Sequence, residues 1–260
     1  MKINKLFLVY FSPTGTTSSI LKKAAQYIGI EYLEYDLADY SNLNMEIKFT
    51  SNDLVLFGFP VYGGRVPDPF IERVSRFSGN GALAVIFAAY GNRAYENALF
   101  EMRDCVLSLG FSPLAAAAIS TEHNMVRAVA AGRPDKNDLI LIETFCNKLI
   151  GKFTAVEAAN ELVDFYVPGK KPKNKISQKT KPSSVSKNCN FCGLCARKCP
   201  VNAIDINHPK KPEAQECLHC MRCIRYCPKN ARNLPSLPIK IAEYILSKLW
   251  KKRKEPEFFK

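Results

Sequence analysis

The chain has 260 residues, of which 47% are hydrophobic and 23% charged, values typical of a folded globular protein rather than a disordered one. No apolar run approaches the roughly 18–20 residues that a membrane-spanning helix needs. The formal net charge of +13 is uneven: residues 1–166 hold 15 basic and 18 acidic side chains, whereas residues 167–260 hold 22 and 6. The basic second part predicts a partner with an acidic face.

Apolar β-type runs alternate with helical stretches over the first part of the chain. Strands are predicted at Lys5–Phe11, Glu31–Leu37, Asp53–Phe59, Ala82–Ala89 and Leu114–Ser120. Helices are predicted at 16–29, 69–77, 94–109 and 135–152, with a further short helix over 154–166. The alanine run of the fifth strand also favours helix. The alternation predicts a parallel sheet covered by helices on both faces.

The composition changes abruptly after residue 166. Residues 167–188 hold seven lysines, three prolines, four serines and no acidic residue, which predicts an extended linker. We therefore predict a first domain over 1–166, a basic linker over 167–187, a small cysteine-rich domain over 188–234 and a basic amphipathic tail over 235–260.

Eight of the ten cysteines form two copies of the pattern C-x2-C-x2-C-x3-C-P. They are Cys189, Cys192, Cys195 and Cys199, and then Cys217, Cys220, Cys223 and Cys227. This segment resembles the bacterial-type ferredoxins with two 4Fe–4S clusters. The resemblance implies that the fourth cysteine of each run serves the other cluster. Cys189, Cys192, Cys195 and Cys227 would then hold cluster 1, and Cys217, Cys220, Cys223 and Cys199 would hold cluster 2.

Two other uses of these cysteines fit less well. A disulfide scaffold is typical of secreted chains, and residues 1–6 run directly into a predicted strand without a signal peptide. Structural zinc sites usually use paired C-x2-C motifs rather than triplets followed by Cys-Pro. Oxygen-sensitive clusters and many thiols indicate a reducing compartment, so we expect a cytoplasmic protein.

Three loops at the predicted carboxyl ends of strands carry the candidate ligand-binding residues of the first domain. The loop after the first strand, Ser12-Pro13-Thr14-Gly15-Thr16-Thr17, joins hydroxyl groups and backbone N–H groups at a helix start, an arrangement that suits a phosphate. Ser-x-Thr-Gly-x-Thr at this position resembles the phosphate loop of the flavodoxins. An N-capped helix start is the ordinary structural alternative.

The resemblance to flavodoxins extends to the next two loops and implies that they flank the ring of FMN. After the third strand come Pro60, Val61, Tyr62, Gly63 and Gly64, and after the fourth come Ala89, Tyr90, Gly91, Asn92 and Tyr95. Tyr62 and either Tyr90 or Tyr95 would then lie against the ring. The glycines could instead form a plain turn, and Tyr90 could pack against a neighbour.

The combined resemblance is to fused flavodoxin–ferredoxin proteins. It implies an α/β fold, with a flavodoxin-like five-stranded parallel sheet in the order 2-1-3-4-5 followed by a small α+β ferredoxin domain with two clusters. The implied function is electron transfer between FMN, the two 4Fe–4S clusters and external redox partners. The alternative is an FMN-dependent reductase of a small organic substrate that is fed by its own ferredoxin domain.

His123 and Arg127, in the loop after the fifth strand, are the candidate catalytic residues of that reductase, as proton donor and anion ligand. We favour the alternative in which they hold a surface loop in place, because the histidine has no defined base partner.

The tail combines helical apolar spacing at 241, 245, 246 and 249 with the basic run Lys251-Lys252-Arg253-Lys254. It could lie on an anionic membrane as a peripheral contact or pack back onto the protein, and we favour packing. Pairing of two chains in a homodimer stays open. Nucleic acid is a weak partner hypothesis, because the lysines lack interleaved aromatic residues.

Overall fold

A computed structural model describes residues 3–155, 166–172, 182–234 and 236–260. The strands of the main sheet are β1 (Lys5–Tyr10), β2 (Tyr32–Asp36), β3 (Asp53–Pro60), β4 (Leu83–Tyr90), β5 (Ser112–Ser120) and β8 (Glu257–Phe259). A two-stranded ribbon pairs β6 (Ser184–Val185) with β7 (Arg232–Asn233). The α-helices are α1 (Thr16–Ile28), α2 (Asp68–Val74), α3 (Ala98–Ser108), α4 (Lys136–Ala155), α5 (Leu194–Arg197), α6 (Arg222–Arg225) and α7 (Ser236–Leu249).

The main sheet has the strand order β2-β1-β3-β4-β5-β8, and its first five strands are parallel. The order 2-1-3-4-5 is the flavodoxin-like form of the doubly wound sheet, so the predicted fold is confirmed. The predicted strands match the observed ones within two residues and the four long helices within four. Beyond Ala155, the short helix predicted up to residue 166 falls largely outside the described residues, as does part of the predicted linker.

Helices cover both faces of this sheet because its strands are apolar on both faces. In β3, Val55 and Phe57 pack with α2 and α3, whereas Leu54 and Leu56 pack with α1 and α4. Burial on both faces explains why the strand reads as an unbroken apolar run. The run Ala115–Ala118 is fully buried as strand, so packing between the two helical layers overrides the helix preference of alanine.

The cysteine-rich region is a backbone repeat with an offset of 28 residues. Its short helices, α5 and α6, begin at Leu194 and Arg222. Positive backbone φ angles occur at the paired positions Phe191 and His219, Gly193 and Met221, and Asn202 and Asn230. The core of this region is small, with Ala196, Cys199, Ala203 and Ile204 as its buried members.

The end of the chain returns to the sheet. After α7, the strand β8 pairs antiparallel with β5, and the ring of Phe258 stacks on that of Phe145 at 4.6 Å. The packing that we favoured for the tail thus holds for its last residues. The helix α7 nevertheless leaves an apolar face exposed, formed by Ile241, Tyr244, Ile245 and Leu249. Among the helices described, none is both long and apolar enough to cross a membrane.

Candidate functional site

Four cysteines from the two ends of the repeat line one cavity. Cys189 and Cys192 come from the loop before α5, Cys195 lies in α5, and Cys227 follows α6. The structure therefore brings together the four residues that the resemblance assigns to cluster 1.

The other four cysteines line a second cavity. Cys217, Cys220 and Cys223 precede and enter α6, whereas Cys199 crosses over from the first half of the repeat. Each half of the region thus supplies one cysteine to the cavity of the other half. This exchange ties the halves together, which matters because their shared apolar core is small.

Both cavities direct hydrogen-bond donors at sulfur in a matching pattern. The N–H of Ala203 donates to Cys199 Sγ and that of Ala231 donates to Cys227 Sγ, each at 3.2 Å. Arg232 Nη2 lies 3.3 Å from Cys195 Sγ. Donors to sulfur stabilise thiolate ligands, so the residues present fit iron–sulfur clusters.

The thiols of cavity 2 are the more deeply buried. Burial raises the pKa of the Cys220 thiol to about 12 and also raises that of Cys217. For Cys227, burial is outweighed by the N–H groups of Ala231, Lys229 and Arg232, which hold its pKa below the ordinary value. Neutral buried thiols ionise when iron binds them. In the described ranges, no three His, Cys, Asp or Glu side chains group tightly enough for a single metal ion, whereas cubane ligands each bind a different iron atom.

The loop after β1 presents backbone donors to an anion. The hydroxyl of Ser12 accepts from Ser18 N at 3.0 Å and fixes the loop against α1, while Gly15 adopts a φ of +90°. Among the residues described, none accepts a hydrogen bond from the N–H groups of Thr14, Gly15, Thr16 or Thr17. Free N–H groups at the start of a 13-residue helix fit a phosphate group.

The loop after β3 places Tyr62 beside the second cysteine cavity. Tyr62 pairs with Arg65 across a tight turn in which Gly63 and Gly64 both have positive φ. Arg65 is held by a bidentate ion pair with Glu101 of α3. Burial, with a smaller contribution from the nearby Cys220, raises the pKa of Tyr62 well above its ordinary value. Pro60 ends β3 and Val61 packs against the core on the α2 and α3 face.

The loop after β4 differs from the expectation for a ring-flanking loop. Ala89 and Tyr90 are the last residues of β4, and Tyr90 is only 2% exposed, packed edge-on against Tyr95. Tyr95 in turn donates its hydroxyl hydrogen to Glu257 of β8. Both tyrosines therefore take part in packing, Tyr90 in the core and Tyr95 against the tail.

The returning tail contacts other residues of this loop. Asn92 Nδ2 donates to the carbonyl oxygens of Trp250 and Lys252, at 2.7 and 3.0 Å. A side chain at Gly91 would collide with His123, whose ring stacks on Trp250. No local pattern in the sequence indicates this contact, because tail and loop lie some 160 residues apart.

His123 and Arg127 both bond to neighbours within the loop after β5. His123 Nδ1 accepts the N–H groups of Met125 and Val126, both at 3.2 Å, and burial lowers the pKa of His123. Arg127 is 71% exposed and pairs with Glu122, whose pKa it lowers against the opposing effect of burial. Arg127 also lines a cavity together with Thr14 and Thr16.

Charged side chains lock the cysteine-rich region onto the carboxyl edge of the sheet. Arg222 of α6 is buried and its guanidinium lies 3.4 Å from Asp36 and 3.9 Å from Asp39. Burial raises the pKa of Asp36, and Arg222 opposes that rise. Arg73 of α2 donates to the backbone oxygens of Leu37 and Pro200. The sequence analysis missed both arginines, because each looks like an ordinary charge within its own segment.

A cavity of about 200 Å³, open to solvent, lies between the loop at Thr14–Thr17 (the phosphate-type loop) and α6. Its lining joins Thr14 and Thr16 to Asn124, Arg127 and Met221, together with Glu122, Ile224 and Arg225. Met221 also lines the second cysteine cavity. One side chain therefore contacts both candidate cofactor sites.

Comparison with known proteins found similar proteins for each of the two parts of the chain. A family model described as a 4Fe–4S binding domain matches residues 185–205. No curated protein has a significant match. The flavodoxin of Streptococcus pneumonia TIGR4 is similar in structure, with 17% identity and a TM-score of 0.41 over 57% of this chain and 99% of that one.

Two further solved structures give similar values. A flavodoxin from the domain Archaea has 12% identity and a TM-score of 0.40, over 58% of this chain and 99% of that one. A flavodoxin variant of Fusobacterium nucleatum bound to flavin mononucleotide has 11% identity and a TM-score of 0.40, over 58% and 98%. Because these TM-scores are low, the fold is assigned from the strand order of the sheet. The chain combines a flavodoxin-like sheet domain with a ferredoxin-like 4Fe–4S region.

Proposed function

We propose that this chain is an electron-transfer protein that holds one FMN and two 4Fe–4S clusters and exchanges electrons with external redox proteins. When bound, the flavin supplies two-electron exchange and the clusters supply one-electron exchange. The observation that carries the proposal is the position of cavity 2, which lies against the edge of the sheet that holds the phosphate-type loop.

The chain's own residues have distinct roles in this proposal. The N–H groups of Thr14 to Thr17 hold the phosphate at the start of α1. Tyr62, next to the Gly63-Gly64 turn, lies close enough to Cys220 for the two side chains to interact electrostatically. Met221 lines both the open cavity beside the phosphate-type loop and cavity 2. These residues connect the two cofactor sites.

Ion pairs between the cysteine-rich region and the sheet domain hold the two regions in contact. Arg222 and Lys198 from the cysteine-rich region both reach Asp39, and Arg222 also reaches Asp36. A rigid contact of this kind favours transfer within the chain, because both sites stay in register without a search between mobile domains.

The reductase alternative receives less support. It depended on His123 as proton donor and on Arg127 as anion ligand, and both side chains hold the loop after β5. We therefore favour the relay.

The first test is stoichiometry after anaerobic purification. We expect about eight iron atoms and one FMN per chain, from two cubanes and one flavin site. About four iron atoms in the protein with all eight cysteines intact would contradict the two-cluster arrangement.

The second test separates the roles of the two cavities by matched cysteine variants. Cys220→Ala removes a ligand of cavity 2, Cys192→Ala removes one of cavity 1, and Cys105→Ala in α3 changes a thiol outside both. After photoreduction of the flavin, we expect rapid cluster reduction in the Cys192→Ala and Cys105→Ala proteins and none in Cys220→Ala. Equal loss in both ligand variants, or transfer in Cys220→Ala at the unmodified rate, would reject the relay through cavity 2.

A further inference from the structure

The two cysteine cavities differ in what covers them. In the described part of the chain, the hydrogen bonds and ion pairs from residues 182–234 to the sheet domain come from Lys198, Pro200, His219 and Arg222. These residues lie beside cavity 2 or line it. None of these contacts comes from a residue that lines cavity 1, where Cys192 is exposed.

The surface beside cavity 1 exposes a cysteine and apolar side chains. Cys192 is exposed, and Phe191 and Ile206 are 57% and 50% exposed. Arg197 donates to the carbonyl oxygen of Cys192 at 2.8 Å and lies against Gly193. A large exposed aromatic residue directly beside a buried redox site is typical of a contact surface rather than of plain solvent exposure.

The same surface is rimmed by cations. Lys210 Nζ lies 4.8 Å from the ring centre of Phe191, and the exposed Lys229 is among the residues that line cavity 1. The segments 165–204 and 217–242 contain no Asp or Glu at all. Two carboxylates of the region, Asp205 and Glu213, line a neighbouring groove that also includes Ile206 and Tyr40.

We propose that this surface, formed by Phe191, Cys192, Ile206, Lys210 and Lys229, is the docking site for an acidic one-electron carrier protein. The inference deepens the proposed function and rests on it. The occupant follows from charge complementarity, since the cations Lys210 and Lys229 outnumber Asp205, the carboxylate next to Ile206, and would steer and orient an acidic partner. One electron passes between the partner and the chain without bond making or breaking, so one of them is oxidised as the other is reduced.

The location gives the relay a direction in space. An acidic partner seated on Phe191 contacts the chain next to the loop that carries Cys189, Cys192 and Cys195. Cavity 2 then lies between this entry point and the sheet domain. Cluster 1 is the outer site and cluster 2 the inner site of one path.

The test uses the complete protein and a purified acidic ferredoxin as probe, with affinity as the readout. The variant Lys210→Glu with Lys229→Glu reverses two charges at the rim. The control, Lys136→Glu with Lys148→Glu on α4, changes the net charge equally at two exposed positions of the sheet domain. We expect the rim variant to weaken binding at low salt by about tenfold or more, while the control stays within about twofold.

A second variant and a mapping experiment keep the result specific. Phe191→Ala should weaken binding while leaving iron content unchanged, because the side chain is exposed. Amide hydrogen exchange with bound ferredoxin should show protection at 189–195 and 206–211. A ferredoxin whose carboxylates have been amidated should bind the unmodified protein and the rim variant with equal affinity.

Several outcomes would overturn the inference. Equal weakening in the control would indicate general charge attraction, unchanged binding in the rim variant would exclude the surface, and protection on α7 would place the partner elsewhere. Competition by a single-stranded oligonucleotide at equal affinity would assign the surface to nucleic acid. Transfer between flavin and clusters, measured by photoreduction without ferredoxin, tests the proposed function separately, so failure of binding and failure of the relay can be told apart.

Discussion

The sheet domain and the cysteine-rich region reach ordered structures by different means. The sheet domain buries two extended apolar layers, with side chains such as Phe57 and Leu56 completely inaccessible on opposite faces. The cysteine-rich region has four buried members in its core, one of which is the ligand candidate Cys199. So few apolar contacts cannot offset the entropy of ordering some 50 residues.

The two regions differ in the main source of their stability. In the sheet domain, folding precedes any cofactor, because burial alone supplies the driving force. In the cysteine-rich region, the bonds between thiolates and iron replace the missing core. Contacts such as Arg222 with Asp36 then join a region that is folded by burial to one that is folded by ligation.

Removal of iron should have the largest effect on the structure, and that effect should be confined to the cysteine-rich region. Anaerobic chelation of both clusters is expected to unfold residues 184–233 while the strands β1 to β5 remain folded. Amide hydrogen exchange of the holoprotein and of the iron-free protein measures both regions in one experiment. Retained protection of the ribbon β6 and β7 in the iron-free protein would show that the small core suffices.

Arg133→Ala tests whether charged contacts contribute inside the sheet domain as well. Arg133 and Asp138 form a bidentate pair with side chains 6% and 0% exposed, and Arg133 also donates to Lys254 O. Its loss leaves Asp138 with a weaker partner and frees the tail, so we expect the free energy of unfolding to fall by about 3 kcal/mol.

The control for this variant is Arg127→Ala, which removes an exposed pair with Glu122 and should cost less than about 1 kcal/mol. Denaturant unfolding followed by far-UV circular dichroism compares the two. Equal effects would mean that burial does not set the value of an ion pair in this domain.

Arg222→Ala tests how much a buried ion pair contributes to the contact between the two regions. The side chain is 4% exposed and faces both Asp36 and Asp39. Its removal should weaken the contact by about 2 kcal/mol, because Asp36 stays half-buried without a cation, while each region stays folded. The rate of cluster reduction after flavin photoreduction should fall, and iron content should not.

Lys198→Ala provides the matched control at the same contact. Its ammonium group lies 3.4 Å from Asp39 but is 37% exposed, so a loss of less than about 1 kcal/mol is expected. A larger effect from Lys198 than from Arg222 would place the centre of the contact elsewhere.

The parts that could be predicted from the sequence are those with local signals. The unbroken apolar run Asp53–Pro60 and the paired cysteine spacings each determine their own structure within a short segment. Tyr90 shows the limit, because its position one residue before a glycine does not reveal whether it faces the core or the loop.

The contacts that could not be predicted join distant segments. The strand β8 has three residues, too few for a period, and follows a basic run that suggests a solvated end. Arg222 lies in a spacer between two cysteines, and nothing local connects it with Asp36, which lies 186 residues earlier. Such pairs become visible only when the fold brings the two segments together.

The smallest effects are expected from replacing one glycine by alanine in each region. Gly151 lies exposed in α4, and a methyl group there meets nothing, so Gly151→Ala should stabilise the sheet domain by about 0.5–1 kcal/mol. Gly193 has a φ of +70°, and its methyl group would lie 3.0 Å from Arg197 Nη1, so Gly193→Ala should destabilise the cysteine-rich region by about 1 kcal/mol. Circular dichroism follows the first region on heating and loss of cluster absorbance follows the second. Opposite shifts, each confined to its own probe, are expected if the two regions are stabilised independently, whereas a shift of both transitions by either substitution would show that they unfold as one unit.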